Sequence, residues 1–287
     1  MEQLHGTVDT YWYVHESEVI REFAENVPGF APVLKKGVPI WAPSRSASRL
    51  LSMYDAAHAI IECGVEDHRD GLCPALRHDA ERVVIGVFGS YELRKGQDLA
   101  VKGMLSLSAE LQTRSELRFF GRVLEPRFRS DIERSASGNR SITFFGEVDH
   151  RECLSQMAAC DVILVPSRHD PLPLVALDAL SLGKPIVCSP TAGISEYLQD
   201  GRSGLIMHEN TAEEIGRMLA RVVADTELRR VLGQGARAVY ESTFTMRRFA
   251  ENLEAALGLG RPASITVGAD EPPQKSAQWS PARSDAF

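Results

Sequence analysis

From Arg82 onward the chain alternates short, almost uninterrupted apolar runs with longer stretches whose apolar positions recur at helical spacing. The runs RVVIGVFG (82–89), LRFF (117–120), SITFFG (141–146), DVILV (161–165), KPIVC (184–188) and SGLIM (203–207) read as strands. Helices are predicted between them, over about 95–111, 126–136, 150–160, 172–182 and 211–224, with two more near 227–242 and 246–258. Strand and helix in alternation signify βαβ units, and strands this apolar predict a parallel sheet covered on both faces. The expected fold is therefore α/β, a Rossmann-like doubly wound parallel sheet. Several predicted strands end in turn residues: Gly89-Ser90, Gly121, Gly146 and Pro166-Ser167. In open parallel sheets the crevice beyond those carboxyl ends is where ligands bind.

The first 80 residues follow the same logic less completely. They hold a strand-like TYWYVH (10–15), a helix near 16–26, a short VPIWAP strand (38–43), a helix from Ser44 to about Tyr54, and HAIIECGVE running into the polar stretch DHRDGLCPALRHDAE, which reads as an interdomain linker. These strands are too few to close a second nucleotide-binding domain. The expected division is a partial α/β domain with linker over 1–78, a complete domain over 79–259, and a tail over 260–287. That tail is rich in Pro, Ser, Ala and Gln and is expected to be disordered, because it cannot bury enough apolar surface to offset its ordering entropy.

Composition narrows the function. With 287 residues, 44% of them hydrophobic, the chain can bury a substantial core, and a net charge of −7 argues against a nucleic-acid partner. The five cysteines form no CxxC pair, which fits a reducing compartment and buried thiols better than disulfides or a metal centre. The start, MEQLHGTVDTYWYVHE, lacks signal-peptide features, and no run reaches the roughly 20 apolar residues that span a bilayer. A cytoplasmic protein is expected, with peripheral association at a membrane surface left open.

Three constellations carry candidate chemistry. In SRHDPLPLVALDAL (167–180), Asp170 ends a strand-to-helix loop, Pro173 suits the first helical turn, and Asp178 lies farther along the helix. Two carboxylates eight apart then face one ligand, while the amides of Leu174 and Val175 at the helix start suit an anion such as a diphosphate. Asp170 as a helix cap and Asp178 as a solvated surface residue account for the same pattern. In GSYELRKG (89–96), a Gly turn followed by Arg94 and Lys95 suits a phosphate, although neither GxxxxGK[ST] nor GxGxxG is present. In TAGISE (191–196), Gly193 permits close backbone approach and Glu196 opens a short helix, as a sugar-facing loop or as a plain turn and cap.

Taken in order, FGSYELRKGQDL, RFFGRV, ITFFGEVDH and CDVILVPSRHDPLPLVALDALSLGKPIVCSPTAGISEYLQDGRSGLIM resemble the C-terminal domain of glycosyltransferase family 4, retaining transferases of GT-B type. The resemblance covers about Arg82 to Leu259. It implies that Asp170 and Asp178 occupy the two acidic places of the family's E-x7-E motif, facing the donor sugar and the ribose hydroxyls respectively. Both are Asp here, one methylene shorter than Glu. It further implies that Lys95 holds phosphate, that Ser90 stands where many members carry a second phosphate-binding Arg, with Arg94 as a replacement charge, and that Glu196 is the acid of the following loop. Base and sugar contacts fall to loops such as Gly121-Arg122-Val123 and Gly146-Glu147-Val148.

TYWYVHES resembles the late strand ending in the family's active-site His, so His15 would approach the donor across the cleft; a polar strand end is the alternative. A whole N-terminal domain would need on the order of 100 further residues before His15. The implied activity moves a sugar from a nucleoside diphosphate sugar to a glycan or lipid-linked acceptor, with no metal or other cofactor required. A non-catalytic nucleotide-sugar-binding or scaffold protein is the rival, and a GT-B sugar epimerase a third reading.

Overall fold

A computed structural model describes residues 11–15, 17–34, 39–53, 58–69, 71–76 and 81–259. The tail over 260–287 and part of the expected linker lie outside the described residues.

The first part of the chain comprises β1 (Trp12–Tyr13), α1 (Ser17–Asn26), α2 (Phe30–Leu34), β2 (Ile40–Ala42), α3 (Arg45–Ser52) and β3 (His58–Ile60). Its three strands form a parallel sheet in the order β1-β2-β3, with Trp12 opposite Ile40 and Ile40 opposite His58. Val14, Ile20, Leu34, Ile40, Ala42, Ala47 and Leu51 make its small core. The one-turn helix α2 escapes the hydrophobic pattern because five residues with a central proline are too few to display a period.

The larger part runs β4 (Val83–Phe88), α4 (Gln97–Leu105), α5 (Ala109–Thr113), β5 (Ser115–Phe120), α6 (Pro126–Ser135), β6 (Ile142–Phe144), α7 (His150–Ala159), β7 (Val162–Val165), α8 (Leu174–Ser181), β8 (Ile186–Cys188), β9 (Leu205–Ile206), α9 (Ala212–Ala224), α10 (Thr226–Val239) and α11 (Met246–Ala256). All six predicted strands are present, and they pair in parallel in the order β6-β5-β4-β7-β8-β9. This is the doubly wound arrangement, with the order reversing between β4 and β7. Alternate residues of β4 feed opposite cores: Ile85 and Val87 pack with Met104, Leu117, Phe119 and Leu219, while Val84 and Phe88 pack with Phe120, Ile163, Leu177 and Leu180.

Two predicted helices are subdivided. Leu93–Lys95 is a separate 3-10 turn ended by Gly96 at φ 73°, and the rest of that helix breaks at Ser106–Ser108, where the Ser108 side chain caps α5 by accepting from the Leu111 amide. After Val239 the chain takes a π-helical turn, Tyr240–Phe244, before the Thr245 hydroxyl caps α11.

The two parts interlock. The Val65 amide donates to the Phe244 carbonyl at 2.9 Å, and the Tyr13 ring stacks on Phe249 of α11 at 6.3 Å. Gly64 is required there, since a Cβ would lie 2.7 Å from that of Phe249. Arg237 of α10 binds both carboxylate oxygens of Asp67, and this hydrogen bonding holds the Asp67 carboxyl at about 2, below the ordinary 3.8.

A carboxyl depressed on folding contributes stability that is present above its unfolded value and lost as pH falls through its folded value. Asp67→Asn should therefore cost about 1 kcal/mol or less at neutral pH, the pair being partly exposed. In urea melts across pH, the difference from wild type should close as pH falls from about 4 to about 2. A gap constant with pH would contradict this.

Candidate functional site

The reversal of strand order sets the loops after β4 and β7 side by side. Tyr91 anchors the first loop: fully buried, its hydroxyl donates to the Phe119 and Phe145 carbonyls at 3.1 and 2.7 Å, and burial pushes the phenol up to about 12. Gly96 lets the loop touch its neighbour, because a Cβ would sit 2.0 Å from the Pro166 carbonyl oxygen. Arg168 ties the second loop to the first through its amide, which donates to the Arg94 carbonyl at 2.8 Å, and through a bidentate pair with Asp98 at 2.8 Å for each contact. The outcome is an ion pair across the crevice, Lys95 Nζ to Asp170 Oδ2 at 2.7 Å, with side chains only 19% and 8% exposed.

Around this pair lies a cavity of about 280 Å³ whose lining includes His15, Gly89, Lys95, Asp170, Leu174 and Val175. Five of the sequence-predicted site residues thus meet in one place. Asp170 is not the helix cap: α8 begins after Pro173, and no side chain caps it. The first-turn amides of Leu174 and Val175 consequently have no acceptor within the helix and border the cavity. His15 reaches it from the end of β1, its ring 4.4 Å from that of Tyr13 and its Nδ1 3.9 Å from Cys63 Sγ.

Ser90, Arg94 and Arg122 do not line this cavity. The Ser90 hydroxyl donates to Glu92 at 2.6 Å, and Arg94 pairs with the same carboxylate at 3.2 Å while donating to the His169 carbonyl. Arg122 is exposed on the loop after β5. Arg94, expected as a replacement phosphate-binding charge, here pairs with Glu92, two residues before it.

Glu196 sits within the 3-10 turn Gly193–Tyr197 instead of opening a helix, and it faces the first part of the chain. It accepts from the Ser46 amide at 3.1 Å and pairs with Arg49, beside a cavity of about 190 Å³. Gly193 brings this turn against the Asp170 loop: a Cβ there would lie 1.7 Å from the Pro171 carbonyl oxygen, which also accepts from Ser44 Oγ at 2.6 Å. The Gly193 amide donates to the Asp170 carbonyl at 2.8 Å.

Asp178 is buried, not solvated, and belongs to a different cavity, of about 620 Å³, that meets the first at Leu174. Its two carboxylate oxygens contact His68 Nε2 at 3.2 Å and His150 Nε2 at 3.3 Å. Neither histidine was a sequence candidate. They lie 110 and 28 residues from Asp178, and only the fold brings them to it.

Residues 72–239 match the family described as glycosyl transferases group 1, a span of more than half the chain. The chain belongs to that family. Among curated relatives, the D-inositol 3-phosphate glycosyltransferases of Stackebrandtia nassauensis and Saccharomonospora viridis are 28% and 27% identical over 62% and 72% of this chain. Those alignments take in 42% and 52% of the relatives, so the group 1 chain spans about half the length of the curated relatives it matches. Among solved structures, HepE of Anabaena in complex with UDP and glucose superposes with a TM-score of 0.75 at 17% identity, covering 86% of this chain and 71% of that one. Sucrose-phosphate synthase of Thermosynechococcus elongatus gives 0.76 at 20% identity, covering 90% and 69%. The fold is of GT-B type.

Removing Lys95 strands the Asp170 carboxylate in its buried position, so Lys95→Met should cost about 3 kcal/mol in chemical denaturation. The double variant Lys95→Met/Asp170→Asn should be more stable than Lys95→Met alone. Equal or lower stability of the double variant would show that the pair is not coupled.

Proposed function

We propose that this group 1 chain carries the donor site of a retaining glycosyltransferase of the family 4 kind, which moves a sugar from a nucleoside diphosphate sugar to a glycan or lipid-linked acceptor. The observation that carries the proposal is the convergence of Lys95, Asp170, His15 and the open first turn of α8 on one cavity. UDP and glucose bound in the HepE structure support a donor of that class.

In this reading the diphosphate lies between Lys95 Nζ and the Leu174 and Val175 amides. As the bond from the sugar's anomeric carbon to the phosphate oxygen breaks, the electron pair leaves with the diphosphate, an acceptor hydroxyl oxygen forms the new bond to that carbon on the same face, and its proton passes to the departing phosphate oxygen. A cation and the positive end of a helix, held in place before reaction, then stabilise the developing charge. These groups answer the phosphate charge without a metal at that position. Asp170, freed as the phosphate competes for Lys95, orients the sugar hydroxyls, and His15 faces the same sugar from the opposite side. Asp178 marks the ribose end through the adjoining cavity. Glu196 supports the loop that carries Asp170 from behind. No described helix is long and apolar enough to cross a membrane, and the proposed site of action is the cytoplasm, extending to peripheral contact with its membrane.

Calorimetric titration with UDP and UDP-glucose tests this. Lys95→Ala should weaken UDP binding at least about tenfold, the loss of one charge-assisted contact. Asp170→Asn should bind UDP comparably but lose the extra affinity that the sugar contributes. Absence of binding by wild type across a panel of nucleoside diphosphate sugars, or equal binding by Lys95→Ala, would overturn the donor site.

A further inference from the structure

We propose that His68, His150 and Asp178 form a binding site for a divalent transition metal, Zn²⁺ by its donor set, in the larger cavity beside the diphosphate position. The three side chains come from the segment after β3, the first residue of α7 and the second turn of α8, so no local sequence requirement brings them together. One ligand atom from each, two imidazole nitrogens and a carboxylate oxygen, lies within 4.8 Å of the others. His68 Nε2 lies 3.2 Å from one Asp178 carboxylate oxygen and His150 Nε2 lies 3.3 Å from the other, so the two imidazoles flank one carboxylate within reach of a shared ion.

Burial adds a second argument. The Asp178 and His68 side chains are 11% and 13% exposed, while His150 is 67% exposed and closes the cluster from the solvent side. A buried carboxylate needs compensation, and a dication held between it and the two imidazoles would supply it. Two imidazoles with one carboxylate favour Zn²⁺ and its neighbours over Mg²⁺ or Ca²⁺, which prefer all-oxygen sets. Each histidine would bind as the neutral tautomer with its hydrogen on Nδ1 and the Nε2 lone pair on the metal. The three residues line the cavity, so the remaining coordination position opens toward it, to solvent or to an oxygen ligand, as in three-ligand zinc sites.

The site shares Asp178 with the ribose end proposed above, and its test uses no nucleotide. The full chain, stripped with a chelator, is titrated with Zn²⁺ by calorimetry and with Co²⁺ by visible absorption. One equivalent should bind, the Co²⁺ complex should show the intense ligand-field bands of a four- or five-coordinate site, and Mg²⁺ should not compete. His150→Ala, an exposed position that leaves the core untouched, should weaken binding at least about tenfold, as should His68→Ala and Asp178→Asn. Cys73→Ser, which removes the exposed thiol, should leave it unchanged. No stoichiometric binding by wild type, or binding that survives His150→Ala and His68→Ala, would overturn the proposal. Because UDP is absent, failure of the donor site leaves these outcomes unchanged.

Discussion

The organising constraint in this molecule is the pairing of two opposite charges in a crevice that water reaches poorly. Lys95 and Asp170 stand 75 residues apart in sequence and 2.7 Å apart in the fold, because β4 and β7 are neighbours on either side of the point where strand order reverses. Each charge offsets part of the cost of burying the other. The loops that hold them are fixed to one another by Gly96 against Pro166 and by Arg168 against Asp98, so the pair is presented rigidly at the mouth of the cavity.

The smaller sheet completes the cleft. Its contacts at the rim include the Ser44 hydroxyl on the Pro171 carbonyl and the Ser46 amide and Arg49 guanidinium on the Glu196 carboxylate, beside the cavity that His15 lines from the end of β1. Each crosses from the first part of the chain to a loop of the large sheet. The segment from Cys63 to Asp67 and helix α11 bind the two parts together at the other end, through Val65, Gly64, Tyr13 and Phe249. The cleft therefore has one wall from each sheet, and the α8 N-terminus lies between the smaller, charged cavity and the larger one that Asp178 and its two histidines line.

Much of this was legible from residue pattern. Six apolar runs became six strands, because a strand buried on both faces admits almost nothing polar, and that requirement is local. That Lys95, Asp170, Leu174 and Val175 lie at one edge was legible because turn glycines and prolines mark strand ends, and strand ends in a parallel sheet share one edge. The subdivision of the helix after Lys95 was less visible. It turns on Gly96 adopting a left-handed conformation at van der Waals contact with Pro166, a neighbour supplied only by the fold.

By itself the sequence determined the α/β class, the number of strands in the large sheet and the edge on which the site lies, since each follows from periodicity and turn chemistry within a short window. Tertiary structure decided which charges face the cavity and which are spent on neighbours. Arg94 and Lys95 are adjacent and chemically alike, yet one pairs with Glu92 and the other with Asp170, because side-chain direction in a 3-10 turn depends on what the turn packs against. Likewise Asp178 reads in sequence as one member of an acidic pair, whereas the fold buries it between His68 and His150. A carboxylate's partners are set by distance in space, and that information is not carried by spacing along the chain.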